Sequence, residues 1–199
     1  TASGFGGTNA AVTLESGGSG DGEVGVSVDI DVRECREVVI GDGSVKVDGE
    51  VVFVDENADY HVFIRDAFKA GGGQNMKFYK MDDFCKLAYV AADRLLEGID
   101  FGEEECGMVL SGRYGCLDTD MKHQQIVDSE GDAGASPAVF VYTLPNVAAG
   151  EVSIRHHIKG ENTWFWSDDR QMRDIRRYAG MMMAAQDLKY CIIGYFDSI

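Results

Sequence analysis

The sequence predicts a single α/β domain, and three observations lead to that prediction. Short apolar runs centred near Val38, Val109, Phe165 and Ile192 have the composition of buried strands. Between these runs lie amphipathic segments, of which the one from Asp82 to Gly98 is the clearest helix. The chain has 199 residues, of which 45% are hydrophobic, and this length is enough for one well-buried domain.

The charge of the chain narrows its possible partners. The net charge is −16 and the pI is about 4.5, so we expect neither nucleic acid nor an anionic membrane as a partner, because both bind basic surfaces. No apolar run reaches the roughly 18 residues of a membrane span. The polar, glycine-rich start predicts no signal peptide. The five cysteines are odd in number and include no Cys-x-x-Cys pair, so we expect reduced thiols in a cytoplasmic protein. We also expect no metal or other cofactor.

The first third of the chain predicts turns and short strands. The turn of Gly4, Phe5, Gly6 and Gly7 precedes a strand centred on Ala10–Leu14, and the absence of a following helix pattern disfavours a phosphate-binding loop. Residues 17–23 have the composition of a flexible connector. Residues 24–32 alternate as a half-buried strand, residues 36–41 continue it, and residues 51–54 form another strand after two Asp-Gly turns. Residues 66–77 are polar and glycine-rich, which predicts a surface loop.

The segment from Ser136 to Trp166 carries the most specific motifs. Pro145-Asn146 predicts a helix start, residues 159–162 predict a turn, and Thr163–Trp166 predicts a strand. The order of Ser-Pro, Leu-Pro-Asn, Ala-Gly and Lys-Gly-x-Asn motifs before a strand resembles the β-ketoacyl synthases. The resemblance extends to Gly194 without a gap.

This resemblance implies a thiolase-like half-domain. Such a half-domain has three layers, α/β/α, and a mixed five-stranded sheet whose last strand runs antiparallel to the others. Residues 24–199 supply four strands of the N-terminal half and lack the fifth. The Gly4–Gly7 turn and the strand after it resemble the segment that closes the C-terminal half, where the phenylalanine gates the active site. We therefore expect residues 1–16 to supply the missing strand, as in a circular permutation.

The resemblance also identifies a degenerate nucleophile position. Counted from the Lys-Gly-x-Asn turn, the family's nucleophilic cysteine falls on Asp169. Ser167 is expected to cap a helix that has Asp168 and Asp169 in its first turn, where a carboxylate is favourable but is a poor acyl acceptor. The family's catalytic histidines occur in His-Gly-Thr and Gly-His motifs, which none of the four histidines here has. We therefore predict no catalytic residue.

Other reactive side chains have simpler interpretations. Adjacent His156 and His157 point to different helix faces and would chelate a metal poorly. The cysteines have no basic neighbours and are interpreted as core residues, and residues 181–183 as methionine packing. A basic patch is expected to pair with nearby aspartates or with a partner: Arg170, Arg173, Arg176 and Arg177.

The resemblance leaves three functions open. The first is a non-catalytic subunit of fatty-acid or polyketide-type synthesis, with a full-length β-ketoacyl synthase or an acyl carrier protein as a possible partner. The carrier is itself acidic, which disfavours tight docking. The second is a condensing synthase that completes its site with another chain, and the third is an acyl- or ligand-binding protein. In the family the strand before the nucleophile pairs with its copy, so Thr163, Trp164, Phe165 and Trp166 predict a homodimer edge.

Overall fold

A computed structural model describes residues 9–16, 32–131, 134–170 and 172–197 of the chain. These residues form a mixed α/β structure, which confirms the predicted class. The strands are β1 (Asn9–Ser16), β2 (Val32–Gly41), β3 (Ser44–Val47), β4 (Glu50–Val54), β5 (Cys106–Gly115), β6 (Asn162–Trp166) and β7 (Tyr190–Asp197). The helices are α1 (Tyr60–Ala70), α2 (Asp83–Leu95), α3 (Leu117–Glu130), α4 (Pro137–Val141), α5 (Asn146–His156) and α6 (Arg173–Gln186).

The seven strands that the described residues form belong to one sheet, in the order β4-β3-β2-β1-β7-β5-β6. β5 pairs in parallel with both β6 and β7, whereas β1 pairs antiparallel with both β2 and β7. In the part of the sheet that consists of β2, β1, β7, β5 and β6, β1 therefore runs antiparallel to the other four strands. Across the described part of the chain the sheet has seven strands rather than the five expected, because the hairpin of β3 and β4 extends it beyond β2.

Helices cover both faces of the sheet. On one face, Met108, Leu110 and Ile192 pack with the apolar sides of α1, α2 and α5 in the larger core cluster. On the other face, Val109 and Ile193 pack against α6 in a smaller cluster. Successive residues of β5 and β7 thus point to opposite helix layers, which is why these two strands are apolar throughout rather than alternating.

The prediction of a surface loop at residues 66–77 is wrong for residues 66–70. Asp66 to Ala70 belong to α1, which buries Phe63, Ile64, Ala67 and Phe68 on one face. Asp59 caps the helix by accepting a hydrogen bond from the Val62 N–H. A short 3₁₀ turn (Met76–Lys80) follows, and Phe78 stacks on Phe68 with ring centroids 3.9 Å apart. The apolar spacing of α1 therefore outweighs the polar and glycine-rich composition around it.

The helices α2 and α5 pack against each other beside the sheet. Asp82 caps α2 through the Cys85 N–H, as expected, although the helix ends at Leu95 before the turn at Gly98. Pro145 precedes α5, which agrees with the predicted start. Its buried small residues are Ala148 and Ala149, so these alanines rather than Gly150 permit the close approach to α2.

Several sequence predictions fall outside the described residues. These are the turn at Gly4, Phe5, Gly6 and Gly7, the connector at residues 17–23, and most of the strand predicted at residues 24–32. Within the described residues, none of the helices has both the length and the apolar composition that a membrane crossing requires.

Candidate functional site

The candidate site lies where the parallel strands β5, β6 and β7 reach their carboxyl ends. In sheets of this kind, loops that leave the carboxyl ends of the strands form the crevice in which ligands bind. The loop after β6 stays close to β5, because the Ser167 N–H donates to the Gly112 carbonyl at 3.0 Å. This loop carries Asp169 to the amino end of α6.

Asp169 caps α6, but from a different position than expected. The helix begins at Arg173 rather than at Asp168, because Met172 adopts a left-handed conformation with φ of 56°. The Asp169 carboxylate accepts the Arg173 N–H at 2.9 Å, and Ser167 Oγ accepts the Asp169 N–H at 3.1 Å. The side chain of Asp169 is 16% exposed. Its carboxylate therefore satisfies a backbone N–H at the start of the helix.

A second carboxylate organises the neighbouring strand ends. Asp197 is 3% exposed, and its Oδ1 accepts the N–H groups of Arg113 and Tyr114 at 2.9 and 2.8 Å. The Tyr195 hydroxyl donates to Asp197 Oδ2 at 2.7 Å. The β5–β7 register shifts between Ser111 and Gly115, so the Asp197 side chain accepts from backbone groups of β5 where the strand ladder is interrupted.

The electrostatics of this cluster hold Tyr195 in its neutral form. Burial and the Asp197 carboxylate together raise the pKa of Tyr195 to about 12, while Arg170 acts in the opposite direction. The Arg170 guanidinium carbon lies 6.0 Å from the centroid of the tyrosine ring. The expected pairing of the basic patch with a nearby aspartate is found for Arg173, which contacts Asp169, whereas Arg176 contacts Glu34 on β2 instead.

A glycine allows the strands to come close together at this edge. A Cβ atom on Gly112 would lie 2.1 Å from the Phe196 carbonyl oxygen, which is far inside any permitted contact. No larger residue fits there unless β7 moves. The carboxyl edge of β5 and β7 is therefore closely packed, and its polar groups are fixed by short hydrogen bonds.

The four buried thiols are not activated as nucleophiles. Cys116 follows β5 directly and occupies the N-cap position of α3 without a capping side-chain hydrogen bond, a position where a helix dipole would normally favour a thiolate. Burial, followed by the charges of Asp120 and Asp82, instead raises the pKa of Cys116 to about 12. Burial also raises the pKa of Cys106 to about 12, and raises the pKa of Cys85 and Cys191. These four cysteines are buried, as expected for core residues, whereas Cys35 is exposed.

The histidines are distributed over separate helices. His61 on α1 contacts Asp83, and His123 on α3 packs against the Phe140 ring. His156 ends α5 and lies 3.0 Å from Asp93, and His157 follows in a left-handed conformation. Within the described residues, no group of three or more His, Cys, Asp and Glu side chains is placed to hold a metal ion.

The predicted dimer strand lies at the edge of the sheet. β6 pairs with β5 on one side and is the last strand in the order. Trp164 and Trp166 share one face, with ring centroids 6.2 Å apart, and Trp166 is 63% exposed. Phe165 points to the opposite face, where its ring packs on Tyr178 of α6.

Comparison with known proteins adds no identification. No protein-family model matches the chain, and no curated protein matches it. The site is therefore interpreted from its own geometry. Sequence reasoning identified Asp169 but missed Tyr195 and Asp197. The sequence could have indicated Asp197, because this acidic residue directly follows the apolar run of β7. It therefore lies at the carboxyl end of a strand, where ligand-binding residues gather.

Proposed function

We propose that this chain is a non-catalytic relative of the β-ketoacyl synthases, acting in the cytoplasm as a structural or partner subunit in fatty-acid or polyketide-type synthesis. The proposal rests on the role of Asp169 as a hydrogen-bond acceptor at the start of α6. Where the resembled family has a thiol, this chain has a carboxylate that accepts the first backbone N–H of α6. A carboxylate used as a helix cap supplies no thioester chemistry.

The sheet supports a thiolase-like half-domain with a substituted closing strand. β1 lies between β2 and β7 and is antiparallel to both, whereas the four strands β2, β7, β5 and β6 run in one direction. One strand running against four is the arrangement that the resemblance implies. β1 comes from the N-terminal motif, so the proposed permutation explains how half of the two-half fold could be complete by itself.

The enzyme alternative requires a second polypeptide. Cys116 is a cysteine at a helix start, but its raised pKa leaves it almost entirely protonated near neutral pH. The histidines on α1, α3 and α5 lack the family's motifs. A condensing synthase would therefore need both its nucleophile and its histidines from another chain.

The ligand-binding alternative receives little support from the cavity beside α2 and α5. This cavity is lined by apolar side chains, including Met108, Leu110 and Phe196, and has a volume of about 10 Å³. A volume of that size accommodates about one water molecule. An acyl chain would need these side chains to move apart.

The proposed partner is a second copy of the chain joined through β6. Among the described residues, no strand pairs with the outer edge of β6, and its residues Asn162–Trp166 include no charged side chain. An uncharged aromatic edge is prone to pair with another strand, and isologous pairing would cover it. A full-length synthase offering the same kind of edge could take the place of the second copy.

The test of this function is covalent acylation. The pure protein is incubated with malonyl- and acyl-loaded carrier protein, and its intact mass is measured, with a full-length synthase as the positive control. We expect no acyl adduct and no decarboxylation of the malonyl group. An acyl adduct on the chain without a companion would overturn the proposal. Co-purification with a full-length synthase would support the partner role.

A further inference from the structure

The strand β4 forms the edge of the described sheet that lies opposite β6. Within the described residues it pairs with β3 alone. The Phe53 ring packs on Phe63 of α1 with centroids 5.6 Å apart, which fixes the strand to the core on one face. Three other side chains of this five-residue strand are exposed by 57%, 47% and 55%: Val51, Val52 and Val54. A row of exposed apolar residues on an edge strand marks a site where another strand can pair.

The backbone of Val54 presents a hydrogen-bond donor at this edge. The N–H of the next residue, Asp55, donates to the Gly43 carbonyl at 2.8 Å, on the side of β3. In an antiparallel pair, residues bonded to the partner strand alternate with residues whose backbone groups point away from it. The Val54 N–H therefore points away from β3. Val52 is the extra residue of a bulge between β3 and β4, and Val54 lies beyond it, where the pairing is regular.

The strand has little protection against pairing with another chain. Edge strands are normally protected by charged side chains, proline, a bulge, or a helix or loop that covers them. β4 has no proline, and its one charged residue, Glu50, is the first of the strand. The bulge at Val52 interrupts the edge at one point. The segment after the bulge remains able to accept an added strand, a mode of binding known as β-augmentation.

The surroundings of β4 are acidic. Residues 42–59 contain six carboxylates and one lysine, Lys46. One of the carboxylates, Asp48, contacts Arg36 at 3.9 Å, and two others accept backbone N–H groups before and at the start of α1. The side chains of the remaining three form no ion pair or hydrogen bond within the described residues: Asp42, Glu50 and Glu56. Their charges are therefore available to a partner.

These three carboxylates lie at the two ends of β4. Glu50 begins the strand and Glu56 follows its end. Asp42 belongs to the turn next to Glu56, because a Cβ atom on Gly43 would lie 2.7 Å from the Glu56 Cα. A strand added along β4 would meet valines in its middle and carboxylates at both ends. The complementary partner therefore has an apolar middle and basic ends.

The same charges disfavour a second copy of the chain at this edge. Pairing of two β4 strands would place the carboxylates of one copy beside those of the other, and like charges on neighbouring strands are destabilising. The net charge of −16 on each chain adds a general repulsion. The edge at β4 thus differs from the edge at β6, which has no charged side chain.

We propose that β4 binds an extended segment of another protein, with an apolar middle and lysine or arginine at both ends, by adding it to the sheet as a further strand. The added strand accepts the Val54 N–H and covers the exposed valines. This inference goes beyond the proposed function and does not rest on it, because it uses the opposite edge of the sheet from β6.

The test uses a fluorescent peptide of sequence Lys-Arg-Val-Thr-Val-Thr-Val-Lys-Arg, whose middle has the length of β4. The peptide is titrated with the full chain, and anisotropy gives the Kd. We expect saturable binding at about 50 mM salt and weaker binding at about 500 mM, because exposed charges are screened. A peptide with glutamate in place of each basic residue should not bind.

A methylated peptide separates strand pairing from simple attraction between a basic peptide and an acidic chain. Methylation of the backbone nitrogens in the apolar middle keeps every charge and side chain but removes the donors that a sheet requires. We expect its Kd for the wild-type chain to be at least roughly tenfold higher than that of the parent peptide.

Two variants of the chain test the same hydrogen bond from the other side. Val54→Pro removes the outward N–H without removing a bond to β3, and proline is tolerated at such edge positions. We expect the Kd of the parent peptide to rise about tenfold. Val54→Thr is the matched control, since it keeps the N–H and the branched shape, and its Kd should stay within about threefold of the wild type. Circular dichroism of both variants checks that the sheet is retained.

Any of four results would overturn the inference. The methylated or the acidic peptide binds as tightly as the parent, the parent peptide fails to bind at about 1 mM, the weak limit of ordinary affinities, or Val54→Pro and Val54→Thr give the same Kd. The fourth is self-association of the wild type that is lost in Val54→Pro, which would assign this edge to a second copy. None of these results depends on acyl chemistry, so the acylation experiment succeeds or fails independently.

Discussion

Asp169 gives a direct test at the scale of a single residue. Replacing Asp169 with Ala removes the acceptor for the Arg173 N–H, and we expect the free energy of unfolding to fall by about 1 kcal/mol, as for the loss of a helix cap. Asp169→Asn keeps an oxygen acceptor and should lose less. The measurement is urea denaturation followed by circular dichroism.

Asp168→Ala is the control for the Asp169 variants. Asp168 is exposed and immediately precedes Asp169, so its replacement should change the free energy of unfolding by less than about 0.5 kcal/mol. Equal effects of Asp168→Ala and Asp169→Ala would contradict the capping role. The ion pair between Asp169 and the largely exposed Arg173 side chain should add little, because exposed pairs are weak.

Tyr195 predicts a loss of stability at high pH. Its pKa is raised to about 12 by burial and by Asp197, whereas a tyrosine in an unfolded chain titrates near 10. The folded state therefore holds its proton more tightly. The stability from this group is fully present below about pH 10 and is lost as pH rises towards 12.

Absorbance near 295 nm measures this titration directly. The difference between the wild type and Tyr195→Phe should show one tyrosine ionising near pH 12. In Asp197→Asn the carboxylate charge is absent, so the pKa of Tyr195 should fall, while burial keeps it above the ordinary value. A Tyr195 pKa that does not change in Asp197→Asn would show that the carboxylate has no influence on it.

At the scale of elements, neighbouring residues of α5 should respond in opposite directions. Ala149 is completely buried, so Ala149→Leu should overpack the core and reduce the free energy of unfolding by about 1–3 kcal/mol. A Cβ on Gly150 would meet nothing within 4 Å. Gly150→Ala should therefore stabilise the helix by roughly 0.5–1 kcal/mol. Urea denaturation of the two variants measures both effects.

The two α5 variants serve as controls for each other. They change successive residues of one helix, and alanine and leucine differ little in helix propensity, so a loss of about 1–3 kcal/mol in Ala149→Leu reports overpacking rather than propensity. Destabilisation by Gly150→Ala would mean that the glycine, rather than Ala149, makes the close approach.

At the scale of the whole molecule, β1 is the strand on which the sheet depends. It pairs with β2 along one side and with β7 along the other, so its removal would separate the β2–β4 hairpin region from the rest of the sheet. A chain without residues 1–16 should therefore lose cooperative thermal unfolding. Calorimetry of this truncated chain beside the full chain is the measurement. A truncated chain with a similar cooperative transition would contradict the central role of β1.

Much of the local structure follows from sequence patterns. The apolar runs of β5 and β7 and the capped, amphipathic α2 are determined by neighbouring residues, and their positions were predictable. α1 was not predicted, because the polar residues and the glycines after it have the composition of a loop. The helix is indicated instead by the spacing of its buried residues, Phe63, Ile64, Ala67 and Phe68. The start of α6 was misplaced because the left-handed conformation of Met172 is not visible in side-chain chemistry.

The sequence alone determined that the chain forms an α/β domain with a carboxylate at position 169 and an aromatic strand at Thr163–Trp166, because composition and spacing are properties of the chain itself. The tertiary structure decided that β1 pairs with β2 on one side and with β7 on the other, and that Asp197 accepts from the backbone of β5. These features depend on hydrogen bonds between residues far apart in sequence. Pairing of that kind is selected by the packing of the whole sheet, so local pattern does not determine it.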